Sequence, residues 1–307
     1  MEPDLRPVLR SAGFEALEIE PLPEGGSNWL FKLTLNDGHI VVAKTPKHGR
    51  GRLDMERALL RETSDGGLLV PRVIDVLDDG HNPPVMISTY LSGATLDEAA
   101  KEFDPATLRE VAFQIGHTLA KIHSLDVGEG YGNLDATLQG ADSFVDWFIG
   151  GFESVVDRAR AALSDPAAVA GLDRAEDFMK ANQALLTDHN AVLLHGDYRP
   201  GNLLFEGPVL TGIIDWEAAK RGPAALDFAW WDWATRLSNV PITSEDLIPG
   251  YRAFRSIEAD PLRMLKRVAM ARITIGHLDW ALRTRNKEAE EQAGLALRDY
   301  WPENDSK

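Results

Sequence analysis

Three short apolar runs constrain this chain more than any other feature. "AVLLH" (191–195), "NLLFE" (202–206) and "LTGIID" (210–215) read as strands in a region where the rest reads as helix. His195 and Asp197 follow directly on the first run, Asn202 opens the second and Asp215 ends the third. An aspartate after a hydrophobic strand is costly to bury without a partner or a metal. Two of them with an asparagine between read as a site rather than a core.

The first ninety residues alternate in the manner of strands. "EALEIEPL", "WLFKLTL" and "HIVVAKT" surround the turn Asn36-Asp37-Gly38, a hairpin signal. "RLDMERALLRET" places Leu53, Glu56, Leu59 and Leu60 at helical spacing, and "PRVIDVL" and "VMISTYL" add two strands. From residue 93 the pattern is helical. A helix of about five turns opens at Asp104-Pro105, an N-cap and first-turn pair, and further helices are expected at 141–163, 173–188, 223–236, 244–257, 261–285 and 287–300. The expected fold class is α+β. A small β-rich lobe spans 1–92, with one inserted helix, and a larger helical lobe spans 93–307.

Composition removes several functions. With no cysteine there is no disulfide, thiolate nucleophile or cysteine-ligated zinc. A net charge of −16 would repel a phosphate backbone, so no nucleic-acid partner is expected. No run approaches a membrane span and the N-terminus has no signal-peptide core, so a cytoplasmic protein with no membrane partner is expected. No histidine pair has metal-ligand spacing, which disfavours a metal-dependent hydrolase.

The spacing carries the chemistry. Asn202 lies five residues after Asp197, and Asp215 thirteen after Asn202, while Lys44 ends "VVAK" on a strand and Glu56 follows on the next helix. A protein-kinase catalytic loop and its metal-binding aspartate have this order. "HGD", "IDWE" and "EGGSN" replace the protein-kinase forms. With "LAKIHSL" before the site and "DFAW" after it, the chain resembles the aminoglycoside phosphotransferase and choline kinase-like family, which has a two-lobed protein-kinase-like fold.

The resemblance implies ATP- and Mg²⁺-dependent transfer of a phosphate to a hydroxyl of a small molecule. It implies that Asp197 orients and deprotonates the acceptor hydroxyl, and that Asn202 and Asp215 supply hard oxygen ligands for Mg²⁺. Lys44, held by Glu56, would contact the nucleotide phosphates beneath a loop containing Gly26, Ser27 and Asn28. Thr89 and Leu91 would meet adenine at the connector. His195, His123 and Asp227 are expected to hold the loop rather than react. "RGPAALD" stands where the family has Gly-Asp-Pro, which leaves the conformation before Asp227 open.

The acceptor is open among aminoglycosides, choline or another amino alcohol, sugars and macrolides, and GTP could replace ATP. A regulatory pseudokinase is the rival from another class. Residues 93–307 hold 34 acidic and 22 basic residues, −12 of the −16. That field suggests a cationic acceptor met by Glu217 and Asp232, with Trp230 as a further contact.

Overall fold

The structure is a computed structural model and describes residues 3–22, 27–78, 80, 82–186, 191–238 and 240–299. Helix α1 (Arg6–Ser11) precedes strands β1 (Ala16–Pro21), β2 (Asn28–Leu35) and β3 (Ile40–Pro46). Helix α2 (Leu53–Asp65) leads to β4 (Val73–Leu77) and β5 (Val85–Thr89). The five strands form one antiparallel sheet in the order β1-β2-β3-β5-β4. The β2–β3 turn closes at Gly38, whose φ of +85° is one that glycine adopts without strain, and the Gly38 N–H donates to Leu35 O at 2.9 Å.

Strand alternation on β3 sets up the site. Val41 and Ala43 join Phe31, Leu33 and Ile87 under Leu5 and Leu9 on one face of the sheet. Lys44, one step on, points to the opposite face, where α2 packs. On that helix Leu53, Met55, Leu59 and Leu60 are buried in the larger core, which continues into the helical part of the chain. Helix α2 therefore joins the sheet to the rest of the molecule, and Glu56 is buried with it.

The second part contains β6 (Ala94–Thr95), α3 (Leu96–Ala99), α4 (Pro105–Ile122), β7 (Gly132–Asn133), α5 (Phe144–Ile149), α6 (Phe152–Ala162) and α7 (Pro166–Ala181). The apolar runs follow as β8 (Val192–Leu194), β9 (Leu203–Glu206) and β10 (Val209–Ile213), then β11 (Lys220–Gly222). Helices α8 (Ala225–Leu237), α9 (Ser244–Arg252), α10 (Ala259–Thr284) and α11 (Lys287–Asp299) complete the chain. Two three-stranded sheets, β10-β9-β6 and β7-β11-β8, hold the loops between them.

Three helical expectations shift, the one at 244–257 by ending at Arg252. The run at 141–163 divides into α5 and α6 at Gly150-Gly151, with Gly151 left-handed at φ +69°. The helix expected at 173 starts at Pro166, where the Asp165 carboxylate accepts the Ala167 N–H at 3.1 Å. Asp104 caps α4 in the same manner through the Thr107 N–H.

Helices α4 and α9 cross at backbone contact. A Cβ added at Gly116 would lie 1.9 Å from Leu247 O, and one at Gly250 would lie 1.9 Å from Phe113 O. This approach brings Tyr251 to His123 at the end of α4. No helix among the described residues is long and apolar enough to cross a membrane.

Candidate active site

The loop after β8 is fastened from below by Asp227, in the first turn of α8. Its Oδ2 accepts the His195 N–H and its Oδ1 the Gly196 N–H, both at 2.9 Å. His123 Nε2 donates to Oδ2 at 3.1 Å, and His123 Nδ1 accepts from the Tyr251 hydroxyl at 3.0 Å. Burial pushes the Asp227 carboxyl up, but these donors outweigh it and hold the group below its ordinary range. Gly222-Pro223 thus brings Asp227 beneath the loop without the family's Gly-Asp-Pro.

His195 is buried against Trp216, with ring centroids 4.6 Å apart. Its Nε2–H donates to Ile214 O at 3.1 Å, and its Nδ1 accepts the Asp197 N–H at 3.3 Å. Both ring nitrogens are used, and burial lowers the imidazole pKa, so the neutral ring acts as a bracket between two loops.

Asp197 is met by three donors. Trp230 Nε1 donates to Oδ1 at 2.7 Å, Asn202 Nδ2 to Oδ2 at 2.8 Å, and Arg199 Nε to Oδ2 at 3.1 Å. Asn202 Nδ2 also reaches Asp197 O at 2.9 Å, while no hydrogen bond among the described residues engages Asn202 Oδ1. The Ile214 N–H donates to Asn202 O at 3.0 Å, which brings Asp215 beside that amide. Asp215 has a left-handed backbone, φ +64°, a conformation in which aspartate and asparagine are enriched.

Lys44 donates to Glu56 Oε1 and to Asp215 Oδ1, each at 2.9 Å, and its Nζ lies 2.8 Å from Glu56 Oε2 and 3.8 Å from Glu217 Oε2. Burial opposes the ammonium charge, but Glu56, Asp215 and Glu217 outweigh it and raise the Lys44 pKa. The same lysine holds the Asp215 carboxyl below its ordinary value against the effect of burial. Three carboxylates therefore face one ammonium, with Asp215 Oδ2 and Asn202 Oδ1 left as hard oxygen donors. This donor set fits a Mg²⁺ ion that keeps few protein ligands and takes the rest from phosphate. Among the described residues, no cluster of three or more acidic or histidine side chains could hold an ion alone.

The remaining expected residues divide. Gly26 lies outside the described residues. Ser27 O accepts the Lys47 N–H at 2.9 Å, and the buried Asn28 side chain hydrogen-bonds Glu217 across the two parts of the chain. The Thr89 N–H is taken by Arg72 O at 2.9 Å and cannot also serve a ligand, whereas no hydrogen bond among the described residues engages the Leu91 N–H.

A cleft of about 1110 Å³ opens beside Asp197 and is walled by Trp147, Trp230, Trp233 and Trp280. Trp230 lies there as expected. Glu217 and Asp232 do not, which corrects the reading of both as acceptor contacts. Glu217 sits with Lys44, because the 3₁₀ turn Trp216–Ala218 after Asp215 carries it toward the sheet. Asp232 points the other way from Trp230 on α8 and accepts the Ser244 N–H at 2.7 Å, with Lys266 at 3.1 Å. A cationic acceptor in this cleft would therefore not meet these two carboxylates. Sequence reasoning passed over Arg199, Lys220 and Arg272, which line the cleft. Arg199 was findable two residues after Asp197, but nothing local marks the other two.

A small antiparallel sheet above a helical body, with a buried lysine–glutamate pair and an aspartate loop below it, defines a phosphotransferase of protein-kinase-like fold. The chain belongs to the Phosphotransferase enzyme family, which it matches over residues 18–241. It is 27% identical over 236 residues to a homoserine kinase of Beijerinckia indica subsp. indica, covering 74% of this chain and 68% of that protein. It is 29% identical over 284 residues to a homoserine kinase of Pseudomonas aeruginosa, covering 85% and 80%. Its fold is similar to that of aminoglycoside phosphotransferase APH(4)-Ia in complex with AMP-PNP and hygromycin B, with a TM-score of 0.77 at 18% identity and 95% of both chains covered. The GDP complex of aminoglycoside 2'-phosphotransferase-IIIa gives 0.69 at 16%, again over 95% of both. The chain is a kinase for a small-molecule hydroxyl.

Proposed function

We propose that this protein transfers the γ-phosphate of ATP to an alcohol of a small molecule, with Mg²⁺. The observation that carries the proposal is the bridge from Lys44 to Glu56 and Asp215, one loop away from an Asp197 that faces an open cleft. Phosphoryl transfer asks a protein chiefly for positioning and charge neutralisation. Lys44 holds the triphosphate and Leu91 offers its N–H to the base. Asn202 Oδ1 and Asp215 would hold Mg²⁺, which when bound would neutralise charge on the phosphates. Asp197 accepts a hydrogen bond from the acceptor hydroxyl and takes its proton as the phosphate arrives, while Arg199 and Asn202 keep the carboxylate in place.

The named relatives support a hydroxyl acceptor, being homoserine kinases by sequence and aminoglycoside phosphotransferases by fold. The GDP complexes among the structural neighbours keep GTP open as a donor. MgATP at 100 times its dissociation constant should stabilise the fold by about 2.7 kcal/mol, and ATP without metal should do distinctly less. Acceptor-stimulated ADP release should fall about a hundredfold or more in Asp197→Asn, with MgATP affinity little changed. Nucleotide binding with no turnover on any alcohol would favour the pseudokinase, and the absence of any purine-nucleotide stabilisation would end both readings.

A further inference from the structure

We infer that Lys220 and Arg272 form a carboxylate-recognition subsite in the acceptor cleft, so that the alcohol this kinase phosphorylates is also an acid. The inference rests on the phosphotransferase reading and reverses the sign of the acceptor that net charge suggests.

Two of the three acids that line the cleft are already answered. Asp227 is committed to two backbone N–H groups and His123, and Asp197 to Trp230, Asn202 and Arg199. The third, Asp97, has the Arg199 guanidinium beside it at Gly201, while its buried Oδ1 accepts no hydrogen bond among the described residues. Two of the cations that line it, Lys220 and Arg272, have no such carboxylate partner. Among the described residues no hydrogen bond or ion pair engages the Lys220 ammonium, although the side chain is largely buried and lines the cleft. Arg272 gives Nε to Phe148 O at 3.2 Å and lies over the Phe152 ring, 5.4 Å from its centroid, with no carboxylate in ion-pair reach. Burial lowers the pKa of both groups; at Lys220 the fields of Asp227 and Asp197 offset it only in part and Arg52 and Arg272 add to it, and at Arg272 Asp279 offsets it only in part.

A largely buried cation that no carboxylate contacts directly is costly to keep. An anion arriving from solvent removes that cost, and the tryptophan walls strengthen the attraction by lowering the local dielectric. Position fits as well. A Cβ at Gly196 would lie 2.6 Å from Lys220 Cε, so the lysine stem runs along the backbone just ahead of Asp197. An acceptor whose anionic end met Lys220 and Arg272 would carry its hydroxyl toward the base. A carboxylate suits the cleft better than a phosphate, because Asp197 repels a dianion twice as strongly.

The test compares acids with their neutral amides: L-homoserine, 4-hydroxybutanoate and 4-(hydroxymethyl)benzoate, each against its primary amide, with 3-hydroxypropyl phosphate as the phosphate arm. Binding is read by quenching of tryptophan fluorescence without nucleotide, and turnover by ADP release. At least one acid should bind tenfold or more tightly than its amide, and more tightly than the phosphate. Lys220→Met should bring that ratio close to one while leaving the amide unchanged, Arg272→Gln should lower it, and Lys220→Arg should keep it. Equal binding of acid and amide in every pair, no binding of any acid at tens of millimolar, tighter binding of the phosphate, or equal losses for acid and amide in Lys220→Met would each overturn the subsite. Because the ratio is read without nucleotide, it stands apart from the MgATP stabilisation that tests the phosphotransferase reading.

Discussion

The indole N–H of Trp230 donates to Asp197 Oδ1 at 2.7 Å, on the opposite oxygen from Asn202 and Arg199. The carboxylate is held at both ends, so its rotation about the Cβ–Cγ bond is restricted before any acceptor arrives. Trp230 also walls the cleft. The residue that orients the proposed base is therefore one that the acceptor touches.

Trp230→Phe keeps most of the wall and removes the donor. A hydrogen bond to a charged group contributes roughly 1.5–3 kcal/mol. If most of it serves to orient Asp197, kcat falls about tenfold or more while KM for ATP stays within about twofold. Steady-state kinetics on any accepted alcohol checks this, and an unchanged kcat would leave Trp230 as wall alone.

Lys44→Met separates the ion pair from the fold. It leaves Glu56, Asp215 and Glu217 facing one another without their ammonium. Breaking a buried pair from one side costs about 3–5 kcal/mol. The midpoint of urea unfolding should fall accordingly, and MgATP should no longer raise it. Glu56→Gln should cost less, since Lys44 retains Asp215.

The site was more legible in the sequence than the cleft, and the reason is physical. Asn202 and Asp215 flank the short β9–β10 pair and Asp197 lies in the loop just ahead of it, so their spacing fixes their geometry, and Lys44 follows from strand alternation. The helix start at Asp165-Pro166 was equally readable, since it repeats the Asp104-Pro105 signal, but the apolar pattern beyond it pointed to a later start. The two-residue strands β6 and β7 are too short to show alternation. The cleft gathers Lys220 from β11, Arg272 from α10 and Trp147 from α5, residues brought together only by packing. Net charge says little about the cleft, because most of the acids lie outside it. Asp232 shows this directly: its carboxylate serves the start of α9 and Lys266.

Asp227 links the loop to acid stability. Its folded pKa is held below the ordinary 3.8 despite burial, through His123 and the backbone donors. A depressed carboxylate contributes stability that is present above the unfolded value and is lost as pH falls through the folded one. Asp227→Asn should cost about 3 kcal/mol near neutrality, because an amide cannot accept all three donors. The gap between wild type and variant should then narrow below pH 3.8, as chemical denaturation across that range would reveal.

Gly196→Ala tests how tightly the loop is held. Gly196 has φ +77°, and its added Cβ would lie 2.1 Å from Ala218 O and 2.6 Å from Lys220 Cε. The left-handed backbone alone costs an alanine about 1–2 kcal/mol. Gly13 supplies that term by itself, with φ +81° and no atom within 4 Å of its added Cβ. Gly196→Ala must in addition move backbone, and overpacking of this kind costs roughly a further 1–3 kcal/mol. The displaced atoms adjoin both Asp197 and the stem of Lys220, so turnover should fall about a hundredfold or more even in protein that remains folded. Gly13→Ala should lose stability without losing turnover. Equal stability losses in the two variants would show that the backbone at 196 yields to a methyl group, and that the loop is softer than its hydrogen bonds imply.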